Sequence, residues 1–547
     1  MDTSNLLKII KSDVFLRGAD GYNIANHEED KGWIMDFRRI ILQPEPLREW
    51  LDYFWSQVAD LDEFQVCGLE VAAIPLIGAV VADAKYKNRK VNGLFIRKSR
   101  KKTGLMQMIE GKILPNVPVV IVDDIINGGI SVDRQLLVLD EAKLSVAKII
   151  TILRFRDLEN YQRFTERGIE IKSCFTLNDL SDLGLKNLVT KEEEIEVNPF
   201  KGLWYFKNPG ANLAYVVPKS GPTYHNGKVF FGTDSGEFLA LDGATGAVIW
   251  KYKVPFGSKG KLIFSTPACD DRNVYFGAYD GNLYALNQET GKREWIYFDA
   301  DWIGSSPAIA KDKHLIYIGL EYGLWYKQGG VAAIDTRTSK EVWKNICPSF
   351  THASPGYSQK MNLVVCGCND GVVRAWRAHD GKLLWEVQTE DKVRYGIAFN
   401  EEARQIIFAA EDGYVYFVDY RGHVQHKFKM IYGSYSTPLV FDNVAYVTSM
   451  DKNLYAIDTK TGQEIWKYKT YARIFSTPAL IKGNIVFGNN SGKLHLLEPK
   501  TGKLVGSYMF SERITNKVAY DEVNDRLYVP TFANEMYCLI EKEADDK

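Results

Sequence analysis

Ala240-Leu-Asp-Gly-Ala-Thr-Gly-Ala-Val-Ile-Trp250 decides the fold, because it comes back. It returns as Ala285-Leu-Asn-Gln-Glu-Thr-Gly-Lys-Arg-Glu-Trp295, as Ala333-Ile-Asp-Thr-Arg-Thr338 running to Trp343, as Asp380-Gly381 running to Trp385, and as Ala456-Ile-Asp-Thr-Lys-Thr-Gly462 running to Trp466. Two further copies keep the glycine and lose the tryptophan: Gly422 to His426, and Gly502 to Gly506. The steps from 250 through 295, 343, 385, 426, 466 to 506 lie between 40 and 48 residues, which is the spacing of four-stranded propeller blades. A second phrase, apolar–aromatic–apolar–Gly, keeps the same phase at Val229-Phe-Phe-Gly232, Val274-Tyr-Phe-Gly277, Ile316-Tyr-Ile-Gly319 and Val364-Val-Cys-Gly367. It continues more loosely at Ile406, Val444, Ile485 and Arg526, giving eight copies against seven of the glycine turn. The missing tryptophan strand is Gly202-Leu-Trp204-Tyr-Phe206, ahead of the first blade. It is expected to complete the last blade and close a ring of eight; a ring of seven is the alternative.

Composition removes several classes of function. Over 547 residues, Lys+Arg number 68 and Asp+Glu 69, so no net charge steers the chain toward nucleic acid. At 46% hydrophobic and 25% charged it reads as globular, and no apolar run approaches the roughly 20 residues of a membrane span. Lys8, Lys11 and Asp13 break the apolar stretch near Met1, so no secretory leader is expected. Seven scattered cysteines, with Cys366-Gly-Cys368 the nearest pair, point to reduced thiols and a cytoplasmic location rather than disulfides or structural zinc.

Residues before about 190 follow another grammar. Apolar strands (Val119 to Val122, Ala147 to Leu153) alternate with helical patterns (Pro46 to Ala59, Leu158 to Gly168), which reads as α/β with a mostly parallel sheet. The expected organisation is an α/β domain over 1–190, an acidic linker over 191–200, an all-β propeller over 201–540 and a polar tail over 541–547.

The chemistry lies in Val119-Val-Ile-Val-Asp123-Asp124-Ile-Ile-Asn127-Gly128-Gly129-Ile130-Ser131. An apolar strand ends in two acids, then a glycine turn, then a serine able to begin a helix. Backbone amides at a helix N-terminus hold a phosphate dianion, and carboxylates at a strand end accept hydrogen bonds from vicinal ribose hydroxyls. With no Gly-Lys-Ser/Thr, the run is not a Walker A loop.

This run resembles the PRPP signature of type I phosphoribosyltransferases, and three flanking segments are similar to the orotate phosphoribosyltransferase branch. Val66-Cys-Gly68-Leu-Glu70-Val71-Ala72-Ala73 resembles its pyrophosphate loop. Ile96-Arg97-Lys98-Ser-Arg-Lys101-Lys-Thr103-Gly104 resembles its mobile basic loop. Leu153-Arg-Phe-Arg156 with Gly168 to Asp179 resembles its closing strand–helix–strand passage. Phe15-Leu-Arg17-Gly18 and Trp33 to Arg39 resemble its base-binding entrance. The resemblance implies magnesium-dependent transfer of phosphoribose from PRPP to a nucleobase, an orotate-like pyrimidine, with release of pyrophosphate. It implies ribose hydroxyls on Asp123 and Asp124, and the 5-phosphate on Asn127, Gly128, Gly129, Ile130 and Ser131. Arg97, Lys98 and the loop lysine Lys101 would neutralise the leaving pyrophosphate; the base would lie near Arg17 and Arg156. Magnesium would be held mainly through PRPP, and a homodimer is implied. Asn127 and Ile130 depart from the family's Thr-rich turn, and Thr103 stands where a His or Tyr is common.

The Asp-x-x-Thr-Gly-x-x-x-Trp phrase resembles the tryptophan-docking repeat of quinoprotein-type (PQQ-like) propellers over roughly residues 200–540. Lacking adjacent cysteines and an export signal, this propeller is expected to carry no PQQ. Its tryptophans are read as packing between blades, and the ring as a platform for an unknown protein or ligand. A second functional reading is a regulatory or bacterial defence effector whose PRPP site senses nucleotide state or modifies a partner on the propeller.

Overall fold

The computed structural model describes residues 3–17, 33–97, 108–183, 198–208, 220–255, 263–324, 327–470 and 472–542. The chain forms two compact units, Met1–Ile195 and Glu196–Lys547.

The first unit is built on five parallel strands, β1 (Glu63–Cys67), β2 (Lys90–Gly93), β3 (Val119–Ile126), β4 (Val146–Arg154) and β5 (Glu170–Thr176), in the order β2-β1-β3-β4-β5. Burial on both faces explains the unbroken apolar runs. Val120 and Val122 pack toward Trp50 and Phe54 of helix α1 (Pro44–Gln57) and toward Leu76 and Val80 of α2 (Ala73–Ala84). Val119 and Ile121 pack on the opposite face with Val132, Leu136 and Leu139 of α3 (Ile130–Glu141). Two sequence readings need correction. The central strand does not end at its acids: Ile125 and Ile126 still pair with Leu153 and Arg154. The expected helix from Leu158 is a 3-10 turn, Leu158–Tyr161, followed by a single helical turn, Gln162–Thr165, because Tyr161 is drawn fully into the core.

The second unit is an eight-bladed propeller. Seven four-stranded antiparallel sheets follow in order over 223–253, 268–298, 308–347, 356–388, 398–429, 439–469 and 479–509. The eighth holds the last three strands of the chain plus Phe200–Phe206, which pairs antiparallel with Met536–Glu541. Phe200, placed in the linker by its sequence, is thus the first residue of the ring-closing strand and is buried. Tryptophan docking has one geometry throughout. Trp204, Trp250, Trp295, Trp343, Trp385 and Trp466 each donate Nε1–H to a carbonyl of the next blade's turn at 2.8–3.1 Å. The indole lies where a side chain on that turn would be. A Cβ on Gly246, Gly291, Gly381 or Gly502 would meet the ring at 2.5–2.6 Å, and all four have φ between +67° and +73°. Ser339 takes the same left-handed conformation (φ +60°) in the turn that lost its glycine. His426 replaces the indole against Gly462. The tryptophans are therefore inter-blade packing, as their spacing implied.

Candidate functional site

The site is assembled where β3 turns into α3. Successive strand residues leave toward opposite faces. Asp123, 8% exposed, leaves on the Ile121 side, where the Ser131 hydroxyl bonds to it; Asp124 leaves on the Val122 side, within the field of Arg38. Asp123 nevertheless turns back, so that its Oδ1 accepts the Asp124 amide at 3.0 Å, and Asp124 Oδ1 accepts the Ile125 amide at 2.8 Å. Burial raises Asp123 well above the usual carboxylate range, and the neighbouring Asp124 charge raises it further. Burial also raises Asp124, while the hydrogen bond with Asp123, the backbone amides and Arg38 oppose it. The pair, Asp123 buried and Asp124 partly so, therefore concentrates negative charge where a proton or a hydroxyl donor on its oxygens is favoured.

The turn beyond is clamped from outside. Gly129 caps α3 at φ +83°, and a Cβ there would lie 2.7 Å from Arg163 Nη2 and 2.9 Å from the Phe164 ring. Glycine is required on both counts. Arg163 donates to the Gly128 carbonyl and to both Asp133 oxygens (3.1 and 3.0 Å), with its guanidinium over the Phe164 ring. Tyr161 donates to the carbonyls of Asn127 (2.7 Å) and Ile126 (3.2 Å), and Arg156 Nε donates to Asn127 Oδ1 at 3.1 Å. With its carbonyls drawn outward, the turn leaves the amides at the start of α3 as donors for an anion. Ile130 is the first residue of that helix.

The loop after β1 comes to the same edge. Gly68 packs so closely that a Cβ would stand 2.3 Å from Ala73 Cβ and 2.5 Å from the Val122 carbonyl, one residue before Asp123. The Glu70 amide bonds to the Ile96 carbonyl at 2.9 Å, the Glu70–Val71 peptide is cis, Val71 is exposed, and Ala72 precedes α2, whose first residue is Ala73. The remaining expected residues have these partners. Arg97 bonds to Met108 through its backbone and pairs with Glu110 at 3.6 Å. Arg17 lies over Phe15 and reaches the Leu183 carbonyl at 3.5 Å. Arg156, assigned by resemblance to the base, bonds instead to Asn127 of the glycine turn. Lys98, Lys101, Gly18 to Gly32 and the acidic run 191–196 lie outside the described residues. Arg38 falls within the Trp33–Arg39 segment read as the base-binding entrance, whereas the sequence reading missed Tyr161 and Arg163; a buried Tyr and an Arg in a short helical passage carry no signal of their targets. Among the described residues no group of three or more His, Cys, Asp or Glu could hold a metal, so the two aspartates fit a magnesium ion only if substrate oxygens complete its shell.

The second unit defines the class: a tryptophan-docked β-propeller. Its residues 201–356 and 369–544 match the family model described as "Outer membrane protein assembly factor BamB", and by that match, over more than half its length, the chain belongs to this family. BamB of Moranella endobia is 21% identical over 389 residues, 65% of this chain and 97% of the relative. The structure of BamB from Moraxella catarrhalis superposes with a TM-score of 0.51 at 16% identity, covering 62% of this chain and 99% of that one, a likeness of fold alone. An orotate phosphoribosyltransferase from Rhodopirellula baltica is 26% identical over 184 residues, 32% of this chain and 93% of the enzyme.

Proposed function

We propose that the first unit is a phosphoribosyltransferase and the propeller its docking platform. The observation that carries this reading is the clamped Asn127–Ser131 turn behind the Asp123–Asp124 pair, with the Gly68–Ala73 loop beside it. PRPP places its 5-phosphate on the amides opening α3 and its ribose hydroxyls on the two aspartates, whose raised pKa values favour hydroxyl donors. Magnesium, held mainly through PRPP with Asp123 and Asp124 nearby, would supply neutralising charge to the leaving pyrophosphate. Arg97, Lys98 and Lys101 are the cations suited to neutralising the leaving group. The acceptor is an orotate-like pyrimidine, for which the likeness to the Rhodopirellula enzyme is the support. The test is pyrophosphate release from PRPP and magnesium with orotate, uracil, other bases or none, using Asp124→Asn as the control. Release with one base names the acceptor; silence with all of them refutes the transferase.

A homodimer fits the apolar outer face of α2: Ile74 and Val81 are both 39% exposed, and a Cβ on Gly78 would meet nothing. A helix of that composition belongs under a partner. Seven free thiols support a reducing, cytoplasmic compartment. That the propeller relatives are named assembly factors supports a protein partner on the ring. This favours a second reading, in which the first unit acts on, or reports to, that partner.

A further inference from the structure

Cys366 and Cys368 are the nearest cysteines in the sequence, but the propeller gives Cys368 another partner. Cys347 is the last residue of the third blade's outer strand, opposite Gly329, and Cys368 directly follows Leu363–Gly367 of the fourth blade. The Asn369 amide donates to the Phe350 carbonyl at 3.0 Å, which lays the chain after Cys347 along the chain that holds Cys368. The Cys347 thiol donates to Cys368 Sγ. Cys368 in turn donates to the Ser349 carbonyl at 3.1 Å and reaches that of Phe350 at 3.4 Å. Two sulfurs in hydrogen-bond contact stand within a side-chain rotation of bonding distance. Cys366 donates instead to the Ala353 carbonyl at 3.5 Å.

Their surroundings make the two thiols unequal. The bond to Cys368 keeps the proton on Cys347 and, with burial, holds that thiol well above the ordinary range. The same bond, helped by the Asp370 amide, holds Cys368 below the ordinary range against burial. Cys368 is therefore the readier nucleophile and Cys347 its partner. Arg374, its side chain 11% exposed, stands beside them. Its Nη2 pairs with Asp370 and its Nε with Glu386, both at 2.8 Å, while Nη1 is buried with no hydrogen-bond partner among the described residues. Its charge acts on Cys347 and Cys366 and opposes their raised values. A guanidinium nitrogen left over beside a thiol suits the thiolate that forms there. Cys347 and Cys368 are each 1% exposed. The bend 348–350 lies against Cys368, with Pro348 exposed and Ser349 and Phe350 half-buried. One layer of chain thus separates the pair from solvent, a barrier to a protein but not to a water-sized oxidant.

We propose that Cys347 and Cys368 are a reversible dithiol, oxidised by hydrogen peroxide to a disulfide that joins the third blade to the fourth. The Cys368 thiolate attacks one peroxide oxygen and the O–O bond breaks, giving a sulfenic acid and a hydroxide that takes up the thiol proton as water. Cys347 then loses its proton in the field of Arg374 and attacks the Cys368 sulfur. The S–S bond forms, and the sulfenic hydroxyl leaves with that proton as a second water. Two thiols are oxidised and one peroxide is reduced; a small dithiol reverses the change by exchange, itself becoming a disulfide. Without the bond these blades are held here by packing and by contacts such as Trp343 Nε1 to the Ala378 carbonyl at 3.0 Å. The site is independent of the transferase reading, since none of its residues belongs to the first unit.

The test exposes the reduced full-length protein to hydrogen peroxide in its native state, then unfolds and alkylates it and maps tryptic peptides without reductant. Cys347 lies in peptide 345–360 and Cys368, with Cys366, in peptide 361–374. The expected product is those two peptides joined, with two fewer alkylated thiols than the seven of the reduced chain, all seven returning after dithiothreitol. The joined peptides persist in Cys366→Ser and vanish in Cys368→Ser; fragment ions between Cys366 and Cys368 assign the link in wild type should a variant fail to fold. Closing a loop of about 20 residues, the disulfide raises the propeller's melting temperature by about 2–8 °C. Seven alkylated thiols after peroxide, a link within peptide 361–374 alone, or joined peptides that survive C368S would overturn the proposal.

Discussion

Removing one oxygen, Tyr161→Phe, tests whether the clamp shapes the Asn127–Ser131 turn proposed to hold the phosphate. Burial pushes the Tyr161 hydroxyl up to about 12, so it remains a donor at every pH the fold tolerates. It serves two carbonyls, but their dependence on it differs. The Ile126 carbonyl also accepts the Phe155 amide at 3.0 Å, whereas no other bond to the Asn127 carbonyl is seen among the described residues. Each bond is worth roughly 0.5–1.5 kcal/mol net, and only one acceptor is left bare, so the loss is about 1–2 kcal/mol. Concentrated in the turn, that should, on the proposed function, weaken PRPP binding about five- to thirtyfold. The same energy lowers the melting temperature of a unit of this size by about 2–8 °C. The assay is calorimetric titration of wild type and Y161F with PRPP and magnesium, alongside thermal unfolding. A variant that melts lower but binds PRPP as tightly as wild type would refute the link between clamp and turn.

Three other perturbations follow from the same geometry. Asp123 and Asp124 have folded pKa values above their unfolded ones, so their contribution to stability is full below the usual carboxylate range and falls as pH rises through the raised values. Ligand-free Asp123→Asn should therefore melt higher than wild type at pH 8, with the difference shrinking toward pH 4; a constant difference contradicts the burial argument. Gly381→Ala and Gly227→Ala share a left-handed φ (+69° and +77°), but only the first would meet an indole, at 2.6 Å from Trp343. Denaturant unfolding should show about 1–2 kcal/mol lost in G227A from conformation and a further loss of roughly 3 kcal/mol in G381A from displaced tryptophan packing; equal losses would remove the docking contact from the energetics. Val81→Glu should convert a dimer to a monomer in sedimentation; wild type already monomeric at micromolar concentration contradicts the role given to α2.

What the sequence disclosed depended on periodicity. The blades were legible because one turn chemistry repeats: an Asp or Asn side chain accepting amides two and three residues on, then a left-handed glycine, as at Asp242 with Ala244 and Thr245. Ring closure was legible from Trp204 alone, a repeat element standing out of order. The acid pair and glycine turn were legible as a local string, but their surroundings were not. Arg38 reaches the field of Asp124 from 86 residues upstream, and Arg163 reaches Gly128 from beyond β4. Such contacts depend on how elements pack and leave no trace in spacing. The extension of β3 through Ile126 was hidden for a related reason: two aspartates look like an end, while the partner strand Leu153–Arg154 decides that pairing continues.

Closure of the ring by the first and last strands has a consequence in time. Tyr205 and Glu535, hydrogen-bonded at 2.7 Å in the finished blade, are 330 residues apart. At roughly 5–20 residues per second, the strand around Trp204 leaves the ribosome about 15–65 s before its partner exists. Through that interval the first blade has no neighbour on one side, and Phe200–Phe206 is an unpaired edge able to capture any passing strand. Lys201, Lys207 and the exposed face of this strand, where Tyr205 and Leu203 keep 39% and 44% of their surface, border the edge that must wait. Synthesis of this protein therefore has a vulnerable period whose length is set by the number of blades, and any factor that slows elongation late in the chain lengthens it.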